Sequence, residues 1–167
     1  VDIVLRHTTA ILDALGTVPL SPLHANLPAA LAKRVKPLRL LLLGTAGTGK
    51  THTVQTTLQE LLRFLEARGL PAAFVKVAAP TGPAAFNLRF NATTIHRLIH
   101  HRNLRQPFGE LQQNHLAALQ DAFARTFLIV LDEVSMIGRQ FMGRIDSRLC
   151  QAKASWNVTG ESLGGVS

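Results

Sequence analysis

An α/β fold, a parallel sheet with helices on both faces, is predicted by three features of this sequence. Three strand-length apolar runs, Leu38 to Leu43, Ala73 to Ala78 and Phe127 to Leu131, lack the polar alternation of a half-exposed sheet. Strands of that kind are covered on both sides. Stretches with apolar residues at helical spacing separate the runs, the pattern that lays crossover helices against a parallel sheet. The first run also ends in a glycine-rich turn that leads directly into a helical stretch.

Taken in order, Ile3 to Leu15 predicts a first helix closed by Gly16. Prolines at 19, 22, 28 and 37 make residues 17–37 an irregular lead-in, with a short helix over Leu27 to Val35. Residues 1–37 therefore read as an N-terminal helix and proline-rich lead-in, and residues 38–167 as the α/β domain. Within it, Leu38 to Leu43 is expected as a buried strand, Gly49 to Arg68 as a helix and Ala73 to Ala78 as a strand. Gly109 to Arg125 is expected mostly as helix, Phe127 to Leu131 as a strand and Arg139 to Gln151 as a helix. There is no internal repeat and no low-complexity tract.

With 167 residues, 47% of them hydrophobic, the chain can bury a sizeable core. A single cysteine, Cys150, permits no disulfide framework and fits a reduced, intracellular globular protein. The apolar runs fall far short of the roughly 20 residues a spanning helix needs, so no membrane span is expected. Because the chain opens on Val1, a targeting segment would lie upstream of it. The net charge is +8, and no acid occurs between Asp13 and Glu60 or between Glu66 and Glu110. The second of these reaches carries Arg68, Lys76, Arg89, Arg97, Arg102 and Arg105. Such a surface attracts a polyanion by counterion release, or is simply solvated; composition leaves both open.

The stretch Gly44-Thr45-Ala46-Gly47-Thr48-Gly49-Lys50-Thr51 fits G-x-x-x-x-G-K-[ST], after an expected strand and at the start of a helix. Glycines let the backbone curl so that successive N–H groups converge on phosphates, and the helix adds its positive dipole end. Lys50 would reach the terminal phosphates, and the Thr51 hydroxyl would ligate Mg²⁺. In "FLIVLDEVSM" an apolar strand delivers Asp132 and Glu133 to its carboxyl edge, where open α/β sheets bind ligands. Asp132 is placed to hold Mg²⁺, and Glu133 to act as general base on an attacking water. Together they predict nucleotide hydrolysis with Mg²⁺ rather than phosphate binding alone, the nucleotide's base being left open.

Between these motifs lie "APTGPAAFNL", Ala79 to Leu88, and "TTIHRLI", Thr93 to Ile99. On GTAGTGKT, APTG-x-AA with T-x-H, and LDEVSM, in that order, residues 38–167 resemble the first motor domain of a superfamily 1B DNA helicase of the petite-integration-frequency (Pif-type) family, relatives of RecD. The resemblance implies a RecA-like phosphate-loop NTPase domain. It implies 5′-to-3′ unwinding and translocation on single-stranded DNA and duplex junctions, in repair, recombination or telomere maintenance, in nucleus or mitochondrion. Pro80, Thr81 and Gly82 would face single-stranded DNA, and Thr94, His96 and Arg97 would belong to the same DNA-side segment. His96 and His100 could also form an i, i+4 metal pair, but no nearby Cys or acid completes a zinc set. Phe86, Phe90 and Phe108 are expected in packing rather than base stacking, and Cys150 and Trp156 carry no signal.

The sequence departs from the family pattern at both ends. No glutamine motif for adenine precedes Ile3, and the chain is expected to stop before the strand that bears motif III. That strand would lie between those of motifs I and II, so a gap in the sheet and marginal stability are expected of the isolated chain; without the arginine finger of the family's second RecA-like domain, negligible turnover is expected as well. The alternative function is a catalytically inactive truncated helicase, or a Helitron-like mobile-element remnant, that only binds nucleotide or nucleic acid.

Overall fold

The computed structural model describes residues 1–16, 35–101, 108–109, 111–154 and 160–167. The expected helix over residues 27–35 falls almost wholly outside this set, as do Arg102, Arg105 and Trp156.

Three parallel strands form the sheet: β1 (Val75–Ala79), β2 (Thr93–Thr94) and β3 (Leu128–Leu131), in the order β2-β1-β3. Val75 to Ala78 pair in register with Leu128 to Leu131, and Ala78 and Ala79 pair with Thr93 and Thr94. The central strand is buried except at Lys76, as its apolar run requires. β2 was not anticipated, since two threonines carry no apolar run.

Helices cover both faces, which is the expected fold class. On one face α1 (Asp2–Gly16), α2 (Lys50–Glu66) and α3 (Gly82–Leu88) contribute Val4, Leu58, Leu61, Leu65 and Leu88 to a core with Val75, Val77 and Leu128. Leu58, Leu61 and Leu65 recur at three- and four-residue spacing, so α2 presents one stripe to the sheet. Gly69, at φ 65°, then turns the chain out, and the Leu70 N–H donates back to the Leu65 carbonyl at 3.0 Å. On the other face α4 (Ile95–Leu98), α5 (Gln113–Phe123) and α6 (Arg139–Ala152) close over Ala78 with Ile95, Leu119, Phe123, Ile145 and Leu149.

Leu38 to Leu43 corrects the expectation of a buried strand. The segment forms no ladder, and Leu40, Leu41, Leu42 and Leu43 are 60%, 61%, 46% and 77% exposed. The cause lies at the outer edge of β3. Ser167 accepts there from the Ile129 N–H at 2.7 Å and donates to the Phe127 carbonyl at 2.9 Å. The Ser167 hydroxyl takes the Leu38 N–H at 3.0 Å and meets His7 Nε2 at 2.7 Å. Leu38 is therefore tied to β3 through one residue, while no strand among the described residues pairs with residues 39–43. Arg39 reinforces the junction, donating to the Ser162 carbonyl at 2.8 Å and to that of Val166.

Two side chains defy their type. Lys153 is buried, with Nζ donating at 2.7 Å to the carbonyls of Phe123 and Thr126 past the end of α5. Burial, then the nearby Lys76, pushes its pKa down to about 6. Phe86, expected in packing, is 84% exposed on α3, whereas Phe90 and Phe108 do pack against the two cores.

Candidate nucleotide and nucleic-acid site

Residues 44–49 form an exposed loop whose shape comes from local chemistry. Gly47 and Gly49 adopt φ 78° and 80°, the left-handed region that a side chain disfavours. A Cβ on Gly44 would stand 2.8 Å from Thr48 Oγ1, which itself donates to the Thr45 carbonyl at 2.9 Å. Lys50 closes the ring, with Nζ donating to the carbonyls of Gly44 at 2.8 Å and Thr45 at 2.7 Å. Its ammonium is thus held over the loop at the start of α2, a 17-residue helix with no acid in its first turn and no side-chain cap. The uncapped first N–H groups and the positive dipole end of that helix lie at Lys50 and Thr51, an arrangement suited to phosphate oxygens.

The other expected site residues follow the carboxyl ends of the strands. After β3, the Asp132 N–H donates to the Ala78 carbonyl at 3.0 Å, and Asp132 Oδ1 accepts from the Glu133 N–H at 2.9 Å. Glu133 is exposed and sits at φ 50°, ψ 41°, a left-handed conformation that costs a non-glycine residue about 1 kcal/mol or more. Among the described residues, no hydrogen bond or ion pair joins Lys50 or Thr51 to Asp132 or Glu133.

After β1, Pro80 leads into Thr81, whose hydroxyl caps α3 by accepting from the Ala84 N–H at 3.3 Å, and Gly82 is exposed. After β2, Thr94 caps α4 in the same way, accepting from the Arg97 N–H at 3.4 Å. Both threonines keep their O–H as a donor. Arg97 is exposed. His96 is partly buried, its ring stacked on Phe141 with centroids 4.5 Å apart. Gln55 Nε2 donates to the Asn87 carbonyl at 2.9 Å, which links the helix of the phosphate loop to α3. Pro80 to Gly82, Thr94 to Arg97 and Asp132 to Glu133 therefore share one edge of one sheet. The phosphate loop joins them through α2 and not through a strand of its own.

Residue-by-residue reading missed the partners of His96. Phe141, which stacks on His96, recurs on α6 at three- and four-residue spacing with Arg144 and Arg148, which lie over Phe108, and that periodicity was the available signal. No group of three or more His, Cys, Asp or Glu among the described residues could hold a metal ion by itself. No described helix is long and apolar enough to cross a membrane.

The solved structure of Bacteroides Pif1 bound to ssDNA is similar to the chain at 26% identity, over 74% of this chain and 25% of that one, with a TM-score of 0.49. The present chain thus spans a quarter of that protein's length. No curated protein matches the sequence. A family model described as an AAA domain matches residues 28–158, a span that takes in the phosphate loop, the Pro80–Gly82 turn and the Asp132–Glu133 pair. The chain accordingly belongs to the AAA domain family, on a RecA-like phosphate-loop α/β fold.

Proposed function

We propose that this chain is the nucleotide-binding portion of an ATP-driven 5′-to-3′ DNA helicase, with repair, recombination or telomere maintenance as the processes its motifs suggest. One observation carries this: a glycine-shaped loop holds Lys50 at the start of α2, α2 is bonded through Gln55 to the Asn87 carbonyl of α3, and α3 follows the same sheet edge that bears the acid pair and the Pro80–Gly82 and Thr94–Arg97 segments. Residues Gly44, Thr45, Ala46, Gly47, Thr48 and Gly49 offer backbone N–H groups to phosphates, and Lys50 offers a point charge. The Thr51 hydroxyl and the Asp132 carboxylate fit Mg²⁺, which takes oxygen donors and needs only one or two from the protein beside phosphates and water. Bound Mg-ATP would supply the energy-yielding phosphoryl bond. Glu133, exposed at the strand's carboxyl edge, would accept the proton of the attacking water. Thr81 and Thr94 would donate their remaining O–H to a DNA backbone, with Pro80, Gly82, His96 and Arg97 alongside.

A second reading, binding without catalysis, is favoured by the lack of any bond between Lys50 or Thr51 and the acid pair. Two titrations test the proposal: a fluorescent ATP analogue with Mg²⁺, and a labelled single-stranded oligo-dT at several salt concentrations. Both should bind, and Lys50→Ala should remove only the nucleotide. A protein with no affinity for either refutes the proposal. Single-turnover hydrolysis separates the two readings.

A further inference from the structure

Beyond the expected DNA-side residues, a run of rings and cations continues from His96 onto α6. The His96 ring stacks on Phe141 at 4.5 Å with an interplanar angle of 23°, and His101 stacks behind His96 at 6.3 Å and 26°. Phe108 meets His101 edge-on at 5.4 Å, and the face of Phe108 carries Arg148 at 4.5 Å and Arg144 at 5.7 Å. Four of these six side chains are nitrogen bases or cations. The acid on the same helix is turned away, since Asp146 Oδ1 accepts from the Leu163 N–H. His101 and Arg148 are only 6% and 2% exposed, and His101 Nε2 and Arg148 Nε have no hydrogen-bond partner.

Arg148 Nη1 donates to Gln151 Oε1 at 2.7 Å, but buried nitrogens left unpaired in a cluster with no carboxylate among its described residues describe an excess of positive potential, and such a site is completed by an anion. Burial, then Arg144, His96 and Arg148, holds the His101 pKa below its ordinary value, as that excess requires. The outer members, His96, Phe141, Phe108 and Arg144, are only partly buried, so part of each reaches the surface. Phosphate beside a flat ring suits that combination: aromatic groups accept a base face and Arg144 a backbone phosphate. A carboxylate ligand would use the charge and leave the rings idle.

We propose that Phe141 and Arg144 extend the nucleic-acid surface onto α6, with a base of single-stranded DNA stacking at the His96–Phe141 pair and a neighbouring phosphate held by Arg144. This rests on the DNA-binding reading above. His101 and Arg148 act from behind, as fixed positive charge and dipole rather than contacts.

The test is fluorescence anisotropy of labelled oligo-dT with the full chain, over a salt series, for wild type, Phe141→Leu, Phe141→Tyr and Arg144→Gln. Loss of one stacked base should weaken binding about 5- to 150-fold in Phe141→Leu, and Phe141→Tyr should restore it. Arg144→Gln should reduce the salt slope by about 0.7, the value of one single-strand phosphate. Both substitutions sit at partly exposed positions, and an unchanged melting temperature establishes that each variant is folded. If wild type binds but Phe141→Leu and Arg144→Gln match it in affinity and slope, the extension onto α6 is wrong and the DNA reading stands. A wild type with no salt-dependent affinity overturns both. Competition by polyglutamate that displaces the oligonucleotide equally from wild type and Phe141→Leu would show charge alone at work, and would also overturn the stacking.

Discussion

Gly164→Ala should destabilise the protein through backbone it cannot move. Gly164 is buried at φ 62°, and an added Cβ would stand 2.4 Å from the Leu149 carbonyl oxygen and 2.9 Å from both the Leu149 carbonyl carbon and Lys153 Cβ. The first two atoms belong to the last turns of α6, so no side chain can swing aside to make room. Left-handed backbone costs alanine about 1 kcal/mol and overpacking of this kind about 1–3 kcal/mol, for a total of about 2–4 kcal/mol. For a chain of this size that lowers the melting temperature by about 5–15 °C. Gly143→Ala is the control on the same helix: nothing lies within 4 Å of its added Cβ, its φ is ordinary, and alanine should stabilise by about 0.5–1 kcal/mol. The assay is thermal unfolding followed by circular dichroism. Equal melting of Gly164→Ala and wild type would refute the packing of residues 162–165 on α6. The effect should also reach the nucleotide site, because the segment after Gly164 places Ser167 between β3 and Leu38. Hydrogen exchange at Leu38 should accelerate in the variant.

Lys50→Ala should leave the melting temperature unchanged, since its hydrogen bonds are exposed, while abolishing binding of a fluorescent ATP analogue; near-normal binding would sink its assignment. Glu133→Gln should keep nucleotide binding and stop hydrolysis, and loss of binding instead would misplace the base. Glu133→Gly should raise stability by about 1 kcal/mol by relieving φ 50°, and unchanged unfolding would contradict the left-handed turn. Lys153 gives a pH dependence. Its folded pKa of about 6 lies below the ordinary 10.5, so the unfolded chain binds more protons between those values and stability rises with pH across that window. Its two carbonyl acceptors can be served by a neutral amine. Urea unfolding at several pH values should show that slope, and Lys153→Met should flatten it.

How much was legible depended on whether a feature is made locally. α2, α6, β1 and β3 were expected within a few residues, because one apolar stripe or one buried run suffices to specify each. The two-residue β2 was not, because Thr93 and Thr94 pair only by virtue of lying beside Ala78 and Ala79. The stacking of His96 on Phe141 was equally hidden, since it joins elements 45 positions apart that only the sheet brings together.

The phosphate loop and the leucine run before it separate these two cases within a dozen residues. Leucines in series are a strong strand signal, yet strand structure is a property of pairs: with no described strand beside them, residues 39–43 form no ladder and stay exposed. Those amides should therefore exchange with solvent far faster than those of Val77 or Val130, and equal protection would show that a ladder forms after all. The loop that follows needs no such partner. Its form is set by two glycines at positive φ, by Thr48 bonded to Thr45, and by Lys50 folded onto Gly44 and Thr45, all within seven residues. A phosphate cradle can thus be shaped on an unpaired stem. What pairing would add is rigidity between Lys50 and Asp132, the distance on which hydrolysis, but not nucleotide binding, depends.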